Sequence, residues 1–255
     1  MSYRFDPYAV RDELVENIRE YARMEGFAKV VLGISGGKDS TVTAALCARA
    51  LGSENVYGIM IPDGIQKDIK DSELVCKSLG IRSTTVNIQE VHQTITNMLY
   101  FANKFFTNGW EIPVSKEADI NVAPRLRMTV LRYIAQSLGA RLAGTGNLSE
   151  ITVGYCTKDG DTSCDFSVLG GLTSVEVVQV GLTMDEIPKD LVIKTPTDGL
   201  SGMSDEEKLG ISYEDIHHFI RSDAAIRQDV VEKIINKFVA NMHKQTRPPL
   251  MWQIE

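Results

Sequence analysis

The sequence predicts an α/β fold: a parallel sheet with helices on both faces. Short apolar runs alternate with longer amphipathic stretches in the order β-α-β-α-β-α-α-β behind a leading helix. Such alternation places each strand parallel to the last, with a helix crossing over between them. A glycine-rich turn carrying an acid, Gly33 to Ser40, falls between the first strand and the helix after it. That is the carboxyl end of a strand, where open α/β sheets take their ligands.

Asp6-Pro7 opens a helix over 6–24, with Val10, Leu14, Ile18 and Tyr21 at helical spacing and Gly26 as its stop. Residues 29–34 are apolar at both parities and read as a buried strand. A helix over 39–51 follows and stops at Gly52. Residues 56–61 form the next strand, closed by Pro62. A helix near 68–79 ends at Gly80, and a third strand rich in Thr, Val and Ile spans 82–88. Helical stretches at 89–106 and 119–138 precede a fourth strand at 140–144. Residues 145–171 are rich in Gly, Thr, Ser and Asp, long for an idle connector and therefore functional in expectation. Helices near 174–182 and 185–190, a loop at 194–212, and helices near 213–221 and 225–244 complete the chain. Neither a repeat nor a linker divides it, so residues 1–255 read as one domain.

At 255 residues the chain is long enough to bury about 70–75% of its unfolded surface. It carries 27 basic and 34 acidic residues, net charge −7, which argues against broad binding of a nucleic-acid backbone. The first residues lack the apolar core of a signal peptide, and no run approaches the ~20 apolar residues of a membrane span. Cytoplasmic location, with neither membrane nor nucleic-acid partner, is the expectation. Cys47, Cys76, Cys156 and Cys164 include no C-x-x-C pair and fit neither a zinc ribbon nor a disulfide framework. Cys47 and Cys76 read as packing residues; Cys156 and Cys164 lie in a polar loop.

In Gly33-Ile34-Ser35-Gly36-Gly37-Lys38-Asp39-Ser40, paired glycines let the backbone approach a ligand closely, and the amides converge at a helix N-terminus that favours anions. The segment is not a Walker loop: Asp39 stands where Ser or Thr is required, and Leu32 where the first Gly is required. Nor do its glycines fit G-x-G-x-x-G. An acid in such a loop repels phosphate unless a cation lies between them, so Asp39 reads as a ligand for Mg²⁺ on a nucleoside triphosphate. A glycine turn with an Asp cap is the plainer alternative.

This S-G-G-x-D-S loop resembles that of the N-type ATP pyrophosphatases, which split ATP between its α- and β-phosphates. Further segments follow in order: Asn121-Val-Ala-Pro-Arg125-Leu-Arg127-Met128, Gly144-Thr145-Gly146-Asn147-Leu148-Ser149-Glu150, Thr157-Lys158-Asp159-Gly160-Asp161, Lys194 to Leu200, Leu209 to Ile216, and His243-Lys244. Together they resemble the ammonia-dependent NAD synthetases over nearly the whole chain. The resemblance implies an adenine nucleotide alpha hydrolase-like (Rossmann-like) fold and a homodimer. It implies ATP binding by Gly33, Ile34, Ser35, Gly36, Gly37, Lys38, Asp39, Ser40, Thr145 and Thr197, with Mg²⁺ held by Asp39 and Glu150. It assigns Arg125, reaching from a neighbouring subunit, together with Lys158, Asp165, His243 and Lys244, to deamido-NAD. On residue type alone, Lys158 and Asp165 are solvated loop charges, and the His243-Lys244 pair is a basic helix end. Ser174 stands where many relatives carry Lys near the ATP phosphates, and Met60 where some carry Arg. His92, His217 and His218 belong to no motif and read as surface or packing residues.

The implied reaction amidates deamido-NAD to NAD through an acyl-adenylate that ammonia attacks, releasing AMP and pyrophosphate. The helix at 6–24 runs directly into the first strand, leaving no room there for an amidase domain, so free ammonia is the expected donor. A separate amidase subunit remains compatible with the sequence. Another ATP pyrophosphatase, GMP synthetase-like or RNA-thiolating, is the nearest rival, and net −7 weighs against the RNA enzyme. A non-catalytic nucleotide-binding module would have no use for the Asp39/Glu150 pair. Met98, Leu99, Tyr100, Phe101, Phe105 and Phe106 offer more apolar surface than one side of a sheet covers, consistent with a two-fold interface or with inward packing.

Overall fold

The computed structural model describes residues 4–105, 109–195 and 204–246. In chain order the elements are α1 (Pro7–Glu25), β1 (Val30–Gly33), α2 (Lys38–Leu51), β2 (Val56–Met60), α3 (Ile69–Leu79), β3 (Arg82–Thr85), α4 (Gln89–Phe105), α5 (Lys116–Ile120) and α6 (Val122–Leu138). There follow β4 (Arg141–Gly144), α7 (Leu148–Val153), β5 (Phe166–Ser167), α8 (Ser174–Leu182), α9 (Lys189–Val192), α10 (Asp205–Leu209), α11 (Tyr213–Arg221) and α12 (Gln228–Asn241). The leading helix begins where the Asp6 carboxylate accepts from the Tyr8 and Ala9 amides, and it ends at Gly26 in the left-handed region.

The strands form a five-stranded sheet in the order β3-β2-β1-β4-β5, with every pair parallel. Val30 on β1 pairs with Val56 on β2 and with Arg141 on β4. The chain winds from β1 outward to β3, then returns across β1 to β4. The topological switch therefore lies between β1 and β4, and the crevice at their carboxyl ends is where a ligand is expected.

Both faces of β1 are covered, which explains its apolar residues at both parities. Val30 and Leu32 pack with Val15 and Ile18 of α1, Leu46 of α2 and Val177 of α8. Val31 faces the other way, with Ile59, Leu142, and Leu131 and Ala135 of α6. A third cluster, including Val153, Leu209, Ile216, Val230 and Ile234, joins α7, α10, α11 and α12. Helix α4 buries no residue fully, and its Met98, Tyr100, Phe101 and Phe105 are exposed. Inward packing is thereby ruled out for these four side chains within one protomer; Phe106 lies outside the described residues.

Several expected boundaries are corrected. The stretch 119–138 is not one helix but α5 and α6 meeting at Asn121, which ends one and begins the other. Pro124 lacks the amide that would bond the Ile120 carbonyl, so a continuous helix is disfavoured there. Residues 145–171 are not all loop, since they contain α7 and β5. The helix expected at 185–190 starts only after Pro188, which biases the residue before it away from helical geometry. The expected loop 194–212 contains α10, capped by Ser204 and closed by Gly210.

Candidate functional site

The turn after β1 is held by its own hydroxyls. The Ile34 amide still donates to the Ile59 carbonyl of β2, 2.9 Å away, and the chain then leaves the sheet. The Ser35 amide donates to Ser40 Oγ at 3.2 Å, the two serine hydroxyls lie 3.0 Å apart, and Thr41 Oγ1 donates to the Gly37 carbonyl at 2.8 Å. Gly36 has φ +81°, and a Cβ there would lie 2.8 Å from Asp71 Cβ and 2.9 Å from the Ser72 backbone nitrogen. Only glycine fits this position without displacing α3. Gly37 caps α2 with no side chain, so no capping oxygen covers the first-turn amides.

Asn147 connects the turn to the second acid. Its Nδ2 donates to Asp39 Oδ1 at 3.0 Å. Its Oδ1 accepts from the Glu150 amide, while its own amide donates to Glu150 Oε2, which makes a complete capping box at the start of α7. The two acids named from the sequence are thus brought together across the β1–β4 crevice. Lys38 folds back beneath them with its side chain 4% exposed, its Nζ 2.7 Å from Asp39 Oδ2 and 5.3 Å from the centre of the Tyr213 ring. Asp205, which the sequence reading did not single out, joins the group from α10. Its carboxylate accepts from Tyr155 OH at 3.1 Å and from Tyr213 OH at 3.4 Å.

The electrostatics follow from that packing. Burial, and then the Asp39 carboxylate, raise the Glu150 acid well above the ordinary carboxylate range. Burial also raises Asp205. For Lys38, burial favours the neutral amine, but the Asp39, Glu150 and Asp205 carboxylates outweigh it and hold the ammonium charged. Three carboxyl groups set around one ammonium leave hard oxygen donors beyond those Lys38 occupies, and a cation would relieve the crowding that raises Glu150 and Asp205. That donor set fits a magnesium-type cation shared with phosphate oxygens.

The other predicted residues fall into distinct situations. Thr145 directly follows β4 at the same sheet edge. Arg125 is exposed on α6, and its Nε donates to the Lys158 carbonyl at 3.2 Å, so these two basic residues meet within one chain. Asp165 accepts from the Leu142 amide at 2.7 Å and pairs with Arg132, and these contacts hold its carboxyl below the usual range although burial opposes them. His243 is exposed. Lys244 Nζ donates to the carbonyls of Gly154 at 2.9 Å and Cys156 at 3.0 Å. Thr197 lies outside the described residues. Ser174 is buried, with its amide on Ser149 Oγ at 3.0 Å, and Met60 is buried in the core. Cys47 and Cys76 are buried, as packing residues should be.

The three histidines outside any motif all have acid neighbours. His92 bonds Asp63 at 2.6 Å and lies 3.4 Å from Asp119, while His217 and His218 both face Asp223. His217, His218 and Asp223 would offer ligand atoms within 4.8 Å of one another, but their short His–Asp contacts already account for the arrangement. No helix among the described residues is long and apolar enough to cross a membrane.

The NAD synthase family model matches residues 10–248. The chain is 34% identical over 256 residues to an NH3-dependent NAD+ synthetase of Methanocaldococcus jannaschii, covering 93% of this chain and 94% of that one. Among solved structures it is similar to an NMN synthetase from Francisella tularensis, with TM-score 0.87, 26% identity, and coverage of 97% of this chain and 99% of that one. It is also similar to an NAD+ synthetase from Burkholderia pseudomallei, with TM-score 0.74, 25% identity, and coverage of 96% and 92%.

Proposed function

The chain belongs to the NAD synthase family, and we propose that it amidates deamido-NAD to NAD+ with ATP and ammonia in the cytoplasm, releasing AMP and pyrophosphate. The observation that carries this reading is the Asn147 bridge, which holds Asp39 and Glu150 together at the mouth of a glycine turn. A nucleotide-binding module has no need of paired acids beneath its phosphate turn, whereas splitting ATP between its α- and β-phosphates does.

In this reading the Gly33–Ser40 turn cradles the ATP phosphates through backbone amides, and Thr145 and Thr197 add hydroxyl contacts by family resemblance. Asp39 and Glu150 would hold Mg²⁺, which supplies charge neutralisation at the departing pyrophosphate when bound. The pyridine carboxylate attacks the α-phosphorus, pyrophosphate leaves, and ammonia then displaces AMP from the acyl carbon. No nucleophilic side chain takes part, so the protein acts by positioning and by fixed dipoles. Arg125, Lys158, Asp165, His243 and Lys244 are assigned to the dinucleotide by the same resemblance. With purified chain, ATP and Mg²⁺, ammonium is expected to support NAD+ formation and glutamine is not. NAD+ formed from glutamine in ammonia-free buffer would overturn the donor assignment, and no product with ammonium would overturn the reaction.

A second reading takes the mononucleotide acid and yields NMN. Its support is the similarity to the Francisella NMN synthetase, together with the commitment of Asp165 and Lys244 to contacts within the chain. Parallel assays with the mononucleotide and dinucleotide acids separate the two by their kcat/KM ratio.

We infer a homodimer from the exposed apolar face of α4, because a second copy would bury it isologously. If Arg125 serves the partner's site, Arg125→Ala and Asp39→Asn chains, each nearly inactive, are expected to regain part of the activity when refolded together. No recovery in proven heterodimers would return Arg125 to its own chain, where it already meets Lys158.

A further inference from the structure

Two arginines on the first turns of α6 have different fates. Arg125 is exposed, while Arg127, two residues along, turns to the opposite side of the helix and is half-buried over the carboxyl end of the sheet. Its Nε donates to the carbonyl of Ile61 at 3.0 Å, the first residue beyond β2. Among the described residues this is its one hydrogen bond, and no carboxylate lies within ion-pair distance. The acids that reach it electrostatically are Asp63 and Asp161, and both are otherwise engaged. Asp63 is bonded to His92 at 2.6 Å, and Asp161 accepts from the Thr157 amide at 2.8 Å.

A guanidinium has five N–H donors, and one suffices for the Ile61 carbonyl. The remainder are held at the ligand edge of the sheet, partly withdrawn from water, with no protein anion to receive them. Asp161 also acts on Glu150, which puts Arg127 electrostatically on the same side of the molecule as the paired acids. The 157–161 turn packs against the start of α6, with Lys158 against Arg125 and Gly160 against Pro124. A planar fork of donors suits two oxygens of one carboxylate or phosphate better than any other side chain does.

We propose that Arg127 grips an anionic group of the pyridine nucleotide, either its carboxylate or a phosphate, and orients that substrate toward the ATP turn. The assignment rests on the amidation reading above and adds a binding residue to it. Ile61 fixes the arginine from behind through Nε, leaving the two terminal nitrogens for the substrate. ATP is not the intended ligand, because its phosphates belong to the turn after β1, whereas Arg127 sits at the exit of β2.

The test uses the purified full chain, with Arg127→Met and Arg127→Lys variants. Arg127→Met is expected to raise KM for the acid nucleotide about 10–100-fold, the cost of losing a charge-assisted bond, with KM for ATP changed less than about threefold; Arg127→Lys is expected to recover part of the loss. Calorimetric binding of deamido-NAD and NAD+ to each protein separates the two anion sources. Weaker binding of the acid alone identifies the carboxylate, and equal weakening of acid and amide identifies the phosphate. Unchanged affinity for both, or a lowered Tm with KM for the acid nucleotide intact, makes Arg127 a structural strut and overturns the proposal. If Arg127→Met does not fold, Arg127→Lys decides alone: acid-nucleotide binding as tight as wild type overturns the bidentate grip. Wild-type protein that binds ATP but amidates neither nucleotide would instead refute the reaction itself, and the assignment with it.

Discussion

Asp39→Asn and Glu150→Gln are each expected to lower pyrophosphate release by about 10²–10³-fold while Tm stays within a few degrees of wild type. The geometry separates chemistry from stability at both positions. Glu150 Oε2 accepts the Asn147 amide in the capping box, and a glutamine oxygen can accept the same bond, so α7 keeps its start. What Gln cannot offer is the charge, which burial and Asp39 already make costly to maintain in the absence of a cation. Asp39→Asn removes the carboxylate that faces Lys38 Nζ at 2.7 Å and Asn147 Nδ2 at 3.0 Å. Among the described residues Asp39 is the one carboxylate within ion-pair distance of Lys38, but an asparagine oxygen can still accept from the ammonium, on which Glu150 and Asp205 continue to act. Steady-state pyrophosphate release and thermal melts, measured on the same preparations, check both halves. Near-normal release by both variants would remove the acid pair from the reaction.

How far the sequence could anticipate this site depends on the length scale of each feature. The glycine turn was legible because strand, turn residues, acid and helix adjoin within a few residues. The sheet alternation was legible because each strand and helix is long enough to show a period. Helix α7 was not, since its six residues lie in a stretch whose composition reads as loop, although Asn147 and Glu150 have capping-box spacing. Strand β5, two residues long, has no period at all. Asp205 acquires meaning only from Tyr155, 50 positions away, and from Tyr213. Arg125 and Arg127 look equivalent in sequence; which of them turns inward is decided by the fit of α6 over β1 and β4 and against the 157–161 turn. Asp165 resembles a substrate contact by position, yet a carboxylate bonded to the Leu142 amide and to Arg132 also ties its loop to β4.

Arg221→Met is expected to destabilise the fold by about 3–5 kcal/mol, because it strips a guanidinium from a carboxylate that water does not reach. The Glu176 side chain is fully buried, and Arg221 meets both of its oxygens, Nε on Oε1 at 2.7 Å and Nη2 on Oε2 at 2.6 Å. The same Oε2 accepts the Thr173 amide at 2.8 Å and so closes the capping box of α8. Thr173 Oγ1 lies 2.8 Å from His217 Nδ1, and Ser174, the first residue of α8, donates its amide to Ser149 beside Glu150. The pair thus anchors the surface on which α7, with Glu150, rests. For a chain of this size the loss corresponds to a fall in Tm of roughly 10 °C. Adding Glu176→Gln is expected to restore more than half of the loss, since the amide keeps an oxygen for the Thr173 N–H while the buried charge is gone. Chemical denaturation of the two single variants and the double variant forms a cycle that isolates the pair. A loss below about 1 kcal/mol for Arg221→Met would mean that solvent or other groups replace the guanidinium, and that α8 holds α7 in place without it.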